Sequence, residues 1–212
     1  MEVWEFIDKK KLIFVLERAT EKVTLRLKLL PLDHERFIRS LAKVNFDMIQ
    51  MKAEGWNIIS SKYHISPVIF SGMWSGKYAL FVDKDYVIIT ETPIELIKFG
   101  DYVSSTSVTD LIMNPYIEVA AIISPCADEY DIKGDLNDAE ISLLNKIVHA
   151  SDTLSELVGE MLSLLSGMIW YPQKGWLIVG EEHSLISFYG KWIIINTEKL
   201  KKILTEGEPP SI

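Results

Sequence analysis

Two stretches of twenty residues, YALFVDKDYVIITETPIELI (Tyr78–Ile97) and SLISFYGKWIIINTEKLKKI (Ser184–Ile203), align without a gap at a separation of 106 residues. Both show an apolar strand, a tight turn, an aromatic residue followed by three aliphatic residues, a polar cap and a helix. Each follows a predicted long helix that ends in glycine, and then further strands. The pattern indicates that a helix–strands–hairpin–helix unit occurs twice. The alternative is two unrelated hairpins in one sheet.

Working outward from the first copy, the N-terminal third predicts a three-stranded meander. Val23–Leu29 alternates apolar and polar residues with period two, which is typical of a half-buried strand. A helix from Asp33 to about Glu54 follows, ended by Gly55. The other predicted elements before the first copy are strands at Val3–Asp8, Leu12–Glu17, Trp56–Tyr63 and Pro67–Met73, with Lys9–Lys11 as a turn. Within the first copy, the predicted strands are Tyr78–Val82 and Tyr86–Ile89. The helix that closes the copy is predicted at Pro93–Phe99, with Gly100 after it.

The second copy is predicted to have a similar surrounding. Asn137 and Glu140 form a capping-box pattern for a helix near residues 139–150. A second helix, capped by Ser151 or Asp152, runs to about Leu165. The predicted strands are Tyr116–Ser124, Met168–Tyr171, Trp176–Val179, Leu185–Tyr189 and Trp192–Ile195, followed by a helix at Glu198–Leu204.

These elements predict an α/β (α+β) fold with a mixed, largely antiparallel sheet flanked by helices. Residues 1–100 would form the meander and the first helix–strands–helix unit, and residues 101–212 the second unit. The two units would be separate or would pack as one compact domain. The boundary is placed in Asp101–Met113, the most loop-like segment of the sequence.

Composition favours a globular intracellular protein. The 212 residues are 48% hydrophobic and 25% charged, and the net charge of −8 argues against attraction of nucleic acid by the whole surface. The single cysteine, Cys126, predicts a reducing compartment, and the N-terminus lacks the pattern of a signal peptide. We therefore expect a cytoplasmic location. Two glutamines with abundant Ile, Glu and Lys favour a thermophile or a virus that infects one, although genome bias gives the same pattern.

Two clusters of polar residues have ligand types that could bind a divalent ion. Glu181, Glu182 and His183 open the last hairpin, where two carboxylates and an imidazole could hold a metal; the alternative is a charged turn. Residues 129–140 place Gly134 and Glu140 at positions 6 and 12 of a calcium loop. An ammonium group, that of Lys133, occupies a ligand position there, so a solvated loop and helix cap is the competing interpretation.

The block Leu154–Leu204 has helix, strand, strand, hairpin and helix in an order that resembles restriction-endonuclease-like nucleases, most closely archaeal Holliday-junction resolvases. That resemblance implies Mg²⁺ or Mn²⁺ and hydrolysis of a phosphodiester by an activated water. The family's Asp, Glu and Lys fall on Ser184, Asn196 and Glu198 in this sequence. A migrated site would use residues close by, namely Glu181, Glu182, Lys191 and Lys199. The resemblance also implies an assisting helix glutamate, a place that Glu156 or Glu160 could occupy.

The sequence thus leaves two functions open. The favoured one is a non-enzymatic interaction or regulatory protein that needs no cofactor and forms a homodimer through apolar strand or helix surfaces. The alternative is a divalent-metal-dependent DNA nuclease of recombination, repair or replication, in which Glu160, Glu182 and Lys191 are catalytic and Glu181, Glu182 and His183 bind the metal. An interaction module should expose an apolar patch, whereas a nuclease must gather carboxylates in one cleft.

Overall fold

Ten strands form one continuous sheet, as seen in a computed structural model that describes residues 2–25, 36, 39, 55–74, 77–123, 130–166, 169–170 and 173–207. Every pairing between these strands is antiparallel. Helices pack on both faces of the sheet. The predicted α/β fold class with a largely antiparallel sheet is therefore confirmed.

The strands are β1 (Leu12–Glu17), β2 (Lys22–Leu25), β3 (Pro67–Trp74), β4 (Tyr78–Val82), β5 (Tyr86–Glu91), β6 (Ile117–Ile123), β7 (Tyr130–Gly134), β8 (Gln173–Gly180), β9 (His183–Phe188) and β10 (Lys191–Asn196). The described α-helices are α1 (Trp56–Lys62), α2 (Ile94–Ser105), α3 (Val108–Ile112), α4 (Asp138–Ser166) and α5 (Thr197–Glu206). Two short 3₁₀ helices, Val3–Phe6 and Lys9–Lys11, precede β1.

The strand order repeats about the centre of the sheet. The full order is β2-β1-β5-β4-β3-β8-β9-β10-β6-β7. Outward from the β3–β8 seam, the N-terminal half runs β3, β4, β5, β1, β2, and the C-terminal half runs β8, β9, β10, β6, β7. β3 and β8 are separated by the same 106 residues as the two aligned hairpins. We call residues 3–105 the first repeat and residues 108–206 the second repeat.

Each face of the sheet has its own hydrophobic core. Along β3, Phe70 and Trp74 face one cluster with α1 and α4, whereas Ile69 and Met73 face the other with α2, α3 and α5. Successive side chains of a strand point to opposite faces, so a strand covered on both sides must be apolar throughout. This explains the runs of aliphatic residues in β4, β5, β9 and β10.

The two repeats are interlocked on both faces. On one face, Phe99 of α2 packs edge-to-face on Phe188 of β9, with ring centroids 6.0 Å apart. On the other, the indole Nε1 of Trp74 in β3 donates a hydrogen bond to the Ser155 carbonyl of α4, at 3.2 Å. Each repeat therefore completes its core with elements of the other.

Several predicted elements are wrong. Val3–Phe6 is a 3₁₀ helix rather than a strand. Trp56–Tyr63 was predicted as a strand, but Trp56, Ile59 and Tyr63 are buried together at helical spacing, and the segment forms α1. Ile169 and Trp170, from the predicted strand at 168–171, are not in a strand. The predicted helix at 33–54 falls outside the described residues apart from Arg36 and Arg39.

Helices are longer than the sequence predicts. Asp101–Met113, expected to be a loop, contains the end of α2 and the whole of α3. The two helices expected at 139–150 and 152–165 are one continuous helix, α4. No helix among the described residues is long and apolar enough to cross a membrane.

Candidate functional site

The turn between β8 and β9 holds the residues predicted to bind a metal. Glu181 and Glu182 are exposed and line a pocket of about 200 Å³ together with His64. His183 does not line this pocket, because its Nε2 pairs with Glu118 Oε1 of β6 at 2.9 Å. The structure therefore directs the imidazole and the two neighbouring carboxylates to different surroundings.

The three residues predicted to be catalytic are spread over the fold. Glu160 is exposed on α4, in the layer that covers one face of the sheet. Lys191, at the start of β10, donates hydrogen bonds from Nζ to the carbonyl oxygens of Ser104 (2.6 Å) and Thr106 (2.5 Å), at the end of α2 in the opposite layer. Glu182 directly precedes the first residue of β9, and Lys191 pairs with the last residue of that strand. Because β9 is about 17 Å long, Glu182 and Lys191 lie at opposite ends of it.

The surroundings of Lys191 suit a structural role. Burial lowers the pKa of its ammonium group. The last carbonyl groups of a helix have no partner within the helix and carry partial negative charge, so a cation placed there is stabilising. Lys191 of the second repeat thus holds the end of α2 of the first repeat.

Within the described ranges, no group of three or more His, Cys, Asp or Glu side chains is placed to share a metal ion. The nuclease and its Mg²⁺ or Mn²⁺ remain predictions from the sequence.

The segment compared with a calcium loop, residues 129–140, contains β7 at residues 130–134, and its Glu140 completes the predicted capping box. Its Oε2 accepts from the Asn137 N–H at 2.9 Å, and its own N–H donates to Asn137 Oδ1 at 3.0 Å, so the cap is confirmed.

Helix α4 carries the surface that the sequence analysis did not single out. Leu157 and Leu164 are 57% and 73% exposed, although they lie in a helix that buries an apolar stripe on its other side. They are seven residues apart, two turns on one line of the helix, and about 10 Å separates them along the axis. Glu160 lies between them. We call Leu157, Glu160 and Leu164 the outer α4 face.

An exposed apolar residue also occurs in the first repeat. Ile58 is 57% exposed and stands 106 residues before Leu164; it lies in the first turn of α1, whereas Leu164 lies in the last turn of α4. Their neighbours Ile59 and Leu162 are buried, and both helices pack into the same core cluster. The sequence signal was an apolar residue just beyond the buried stripe of each helix.

Two contacts fix α4 on the sheet and so present this face. The Trp74 indole packs directly on the helix backbone at Gly159, where a Cβ atom would lie 2.5 Å from Trp74 Nε1. Nε1 of Trp176 in β8 donates to Asp152 Oδ1 at 2.5 Å. Burial raises the pKa of the Asp152 carboxyl, an effect that the hydrogen bond from Trp176 partly opposes.

The beginning of α4 is held by α1. Lys62 Nζ donates to the Asp135 carbonyl at 2.7 Å and to Glu140 Oε2 at 2.8 Å, and the Tyr63 hydroxyl also donates to the Asp135 carbonyl. The hydrogen bond to Glu140 raises the pKa of Lys62, and the same bond lowers the pKa of Glu140. The beginning of α4 in the second repeat is therefore tied to Lys62 and Tyr63 of the first repeat.

Comparison with known proteins relates part of the chain to a protein family. No curated protein and no solved structure matches the chain significantly. Residues 119–205, less than half of the chain, match a family described as "Uncharacterized conserved protein (DUF2173)". This stretch runs from β6 to α5 and covers most of the second repeat. The chain is thus similar to that family over one of its two repeats.

Proposed function

We propose that the chain is a non-enzymatic intracellular interaction module that binds another protein through the outer α4 face. The observation that carries this proposal is the exposure of Leu157 and Leu164 on a helix whose opposite side is fixed to the sheet. Single exposed apolar residues are ordinary on protein surfaces. Two on one line of a helix form a pattern that favours recognition.

The chemistry of the face suggests its partner. Apolar side chains at helical spacing are typical anchors for an apolar groove or helix of another protein. Glu160 between the two leucines, with Glu156 exposed one turn before it, adds negative charge to the same surface. A partner that offers apolar residues beside Lys or Arg would match both features. Glu160 would then contribute to binding specificity rather than to catalysis.

The proposal is tested by comparing variants of the outer α4 face with matched variants elsewhere. The purified chain is immobilised and exposed to a lysate of the cells that encode it, and the retained proteins are identified and quantified. We expect the wild-type chain to retain one protein in stoichiometric amount, and the double variant Leu157→Glu/Leu164→Glu to lose it. Tyr189→Glu and Met113→Glu change residues that are 54% and 69% exposed, and should retain it.

Two results would contradict the proposal. One is retention of the same protein by the double variant and the controls alike. The other is that the wild-type chain retains nothing beyond the bare matrix. Circular dichroism of each variant checks that the charge has not unfolded α4.

A further inference from the structure

The strand β7 closes the second repeat at one end of the sheet. In the part of the chain that the structure describes, β7 pairs with β6 on one side and with no strand on the other. A strand at a sheet edge offers free N–H and C=O groups to another strand. Such an edge is open to pairing with a second copy of the chain if the side chains allow it.

The side chains of β7 are complementary to themselves. Asp131 and Lys133 project from the same side of the strand, half exposed, with Lys133 Nζ 3.7 Å from Asp131 Oδ1. Ile132 between them packs towards the core cluster under α4. If two copies of β7 pair antiparallel about a two-fold axis at Ile132, Asp131 of each copy lies opposite Lys133 of the other. Opposite charges at facing positions stabilise a strand pair, and like charges destabilise it.

The charge of the chain favours this edge over other contacts between copies. The net charge of −8 makes two copies repel each other over most of their surfaces. The pair of Asp131 and Lys133 has no net charge, so these two facing positions add no repulsion of their own. Among the described strands, the other edge strand is β2, which carries Lys22 and no acidic residue, so two copies of it would form no charge pair.

From this geometry we propose that two chains form a homodimer by antiparallel pairing of β7 with β7 of the second copy. The two sheets then join edge to edge into one larger sheet. The contact is isologous, so each copy contributes the same residues and the assembly closes at two chains. The outer α4 face takes no part in it, so this inference stands independently of the proposed function.

Charge-swap variants test the pairing directly. Asp131→Lys places a second ammonium group opposite Lys133 of the other copy, and Lys133→Asp places a second carboxylate opposite Asp131 of the other copy. Each single variant should self-associate at least about tenfold more weakly than the wild-type chain, because two favourable pairs are lost and two repulsive ones are made. Mixed together, the two variants should form a heterodimer, because each facing pair then joins a lysine of one copy to an aspartate of the other. Lys22→Asp on β2 is the matched control and should dimerise like the wild type.

Sedimentation velocity of each chain and of the mixture measures these outcomes. A wild-type chain that stays monomeric, single variants that dimerise normally, or a mixture that stays monomeric would each overturn the inference. Both substituted side chains are about half exposed, so the variants should keep the fold, which circular dichroism checks. Loss of the dimer would leave capture of a partner on the outer α4 face unchanged, so failures of the two proposals are distinguishable.

Discussion

Gly159 in the middle of α4 offers a test in which two physical effects have opposite signs. In an exposed helix, replacing glycine by alanine stabilises by about 1 kcal/mol, because glycine loses more backbone freedom on folding. At Gly159 the added methyl group would lie 2.5 Å from Trp74 Nε1 and 2.8 Å from Trp74 Cδ1. These distances are shorter than real contacts allow, so either the indole ring or the helix must move.

The expected cost of that movement exceeds the gain in helix propensity. Overpacking a core by one methyl group costs roughly 1–3 kcal/mol. Displacing the indole also weakens its hydrogen bond to the Ser155 carbonyl, and a buried N–H left without a partner costs roughly another 1–3 kcal/mol. We therefore expect Gly159→Ala to lower the free energy of unfolding by about 1–5 kcal/mol after the propensity gain is counted.

A double-mutant cycle with Trp74→Phe separates the two effects. Phenylalanine removes the indole nitrogen that the new methyl group would meet. In that background Gly159→Ala should be neutral or stabilising by up to about 1 kcal/mol. Urea unfolding followed by far-ultraviolet circular dichroism gives the four free energies without relying on tryptophan fluorescence. A stabilised Gly159→Ala variant in the wild-type background would refute the close packing of Trp74 on α4.

Two further predictions concern Asp152 and the alternative enzymatic function. Because burial raises the pKa of Asp152 above the ordinary value of about 3.9, the folded chain binds this proton more tightly than the unfolded chain. The stability from this group is thus present below about pH 4 and is lost as the pH rises through the raised pKa. The control is Asp152→Asn, whose amide oxygen still accepts from Trp176. Urea unfolding should show the wild type losing stability relative to this variant as the pH rises above about 4. Parallel pH profiles of the two chains would contradict this. The interaction function also predicts no cleavage of duplex, branched or single-stranded DNA with Mg²⁺ or Mn²⁺, and metal-dependent cutting that Glu182→Ala abolishes would instead establish the nuclease.

Short-range patterns predicted the strands of both repeats well. Tyr78–Val82 was predicted at the bounds that β4 has, and the predictions for β5, β9 and β10 miss the ends by one or two residues. These strands are aliphatic on both faces and end at tight turns, so the signal lies in a few adjacent residues. The capping box at Asn137 is local in the same way.

Elements whose form depends on distant contacts were predicted less well. Gly100 was expected to end a helix, but α2 continues through it. The glycine lets the helix backbone approach the Phe188 ring, since an added Cβ would lie 3.1 Å from Phe188 Cδ1. Ser151 and Asp152 were expected to begin a new helix. Within α4, Ser151 bonds back to the Ile147 carbonyl at 2.8 Å, and Asp152 accepts from Trp176 of the sheet. For Gly100 and Asp152 the deciding neighbours, Phe188 and Trp176, are far away in sequence.

The candidate sites divide in the same way. The sequence placed Glu181, Glu182 and His183 side by side, but only the fold shows that His183 pairs with Glu118 while the two glutamates face a different pocket. The sequence could not indicate that Lys191 holds the end of α2, because its partners are backbone carbonyls 85 and 87 residues away.

By itself, the sequence determined the fold class, the antiparallel hairpins and the 106-residue repeat, because these follow from the periodicity of apolar residues and from turn chemistry. Only the tertiary structure decided that the repeats meet at β3 and β8, that their helices cross from one repeat to the other, and which apolar side chains stay exposed. Burial is a property of the assembled chain. Leu162 and Leu164 are the same residue type in the same helix, and only the packing of α4 on the sheet buries one and exposes the other.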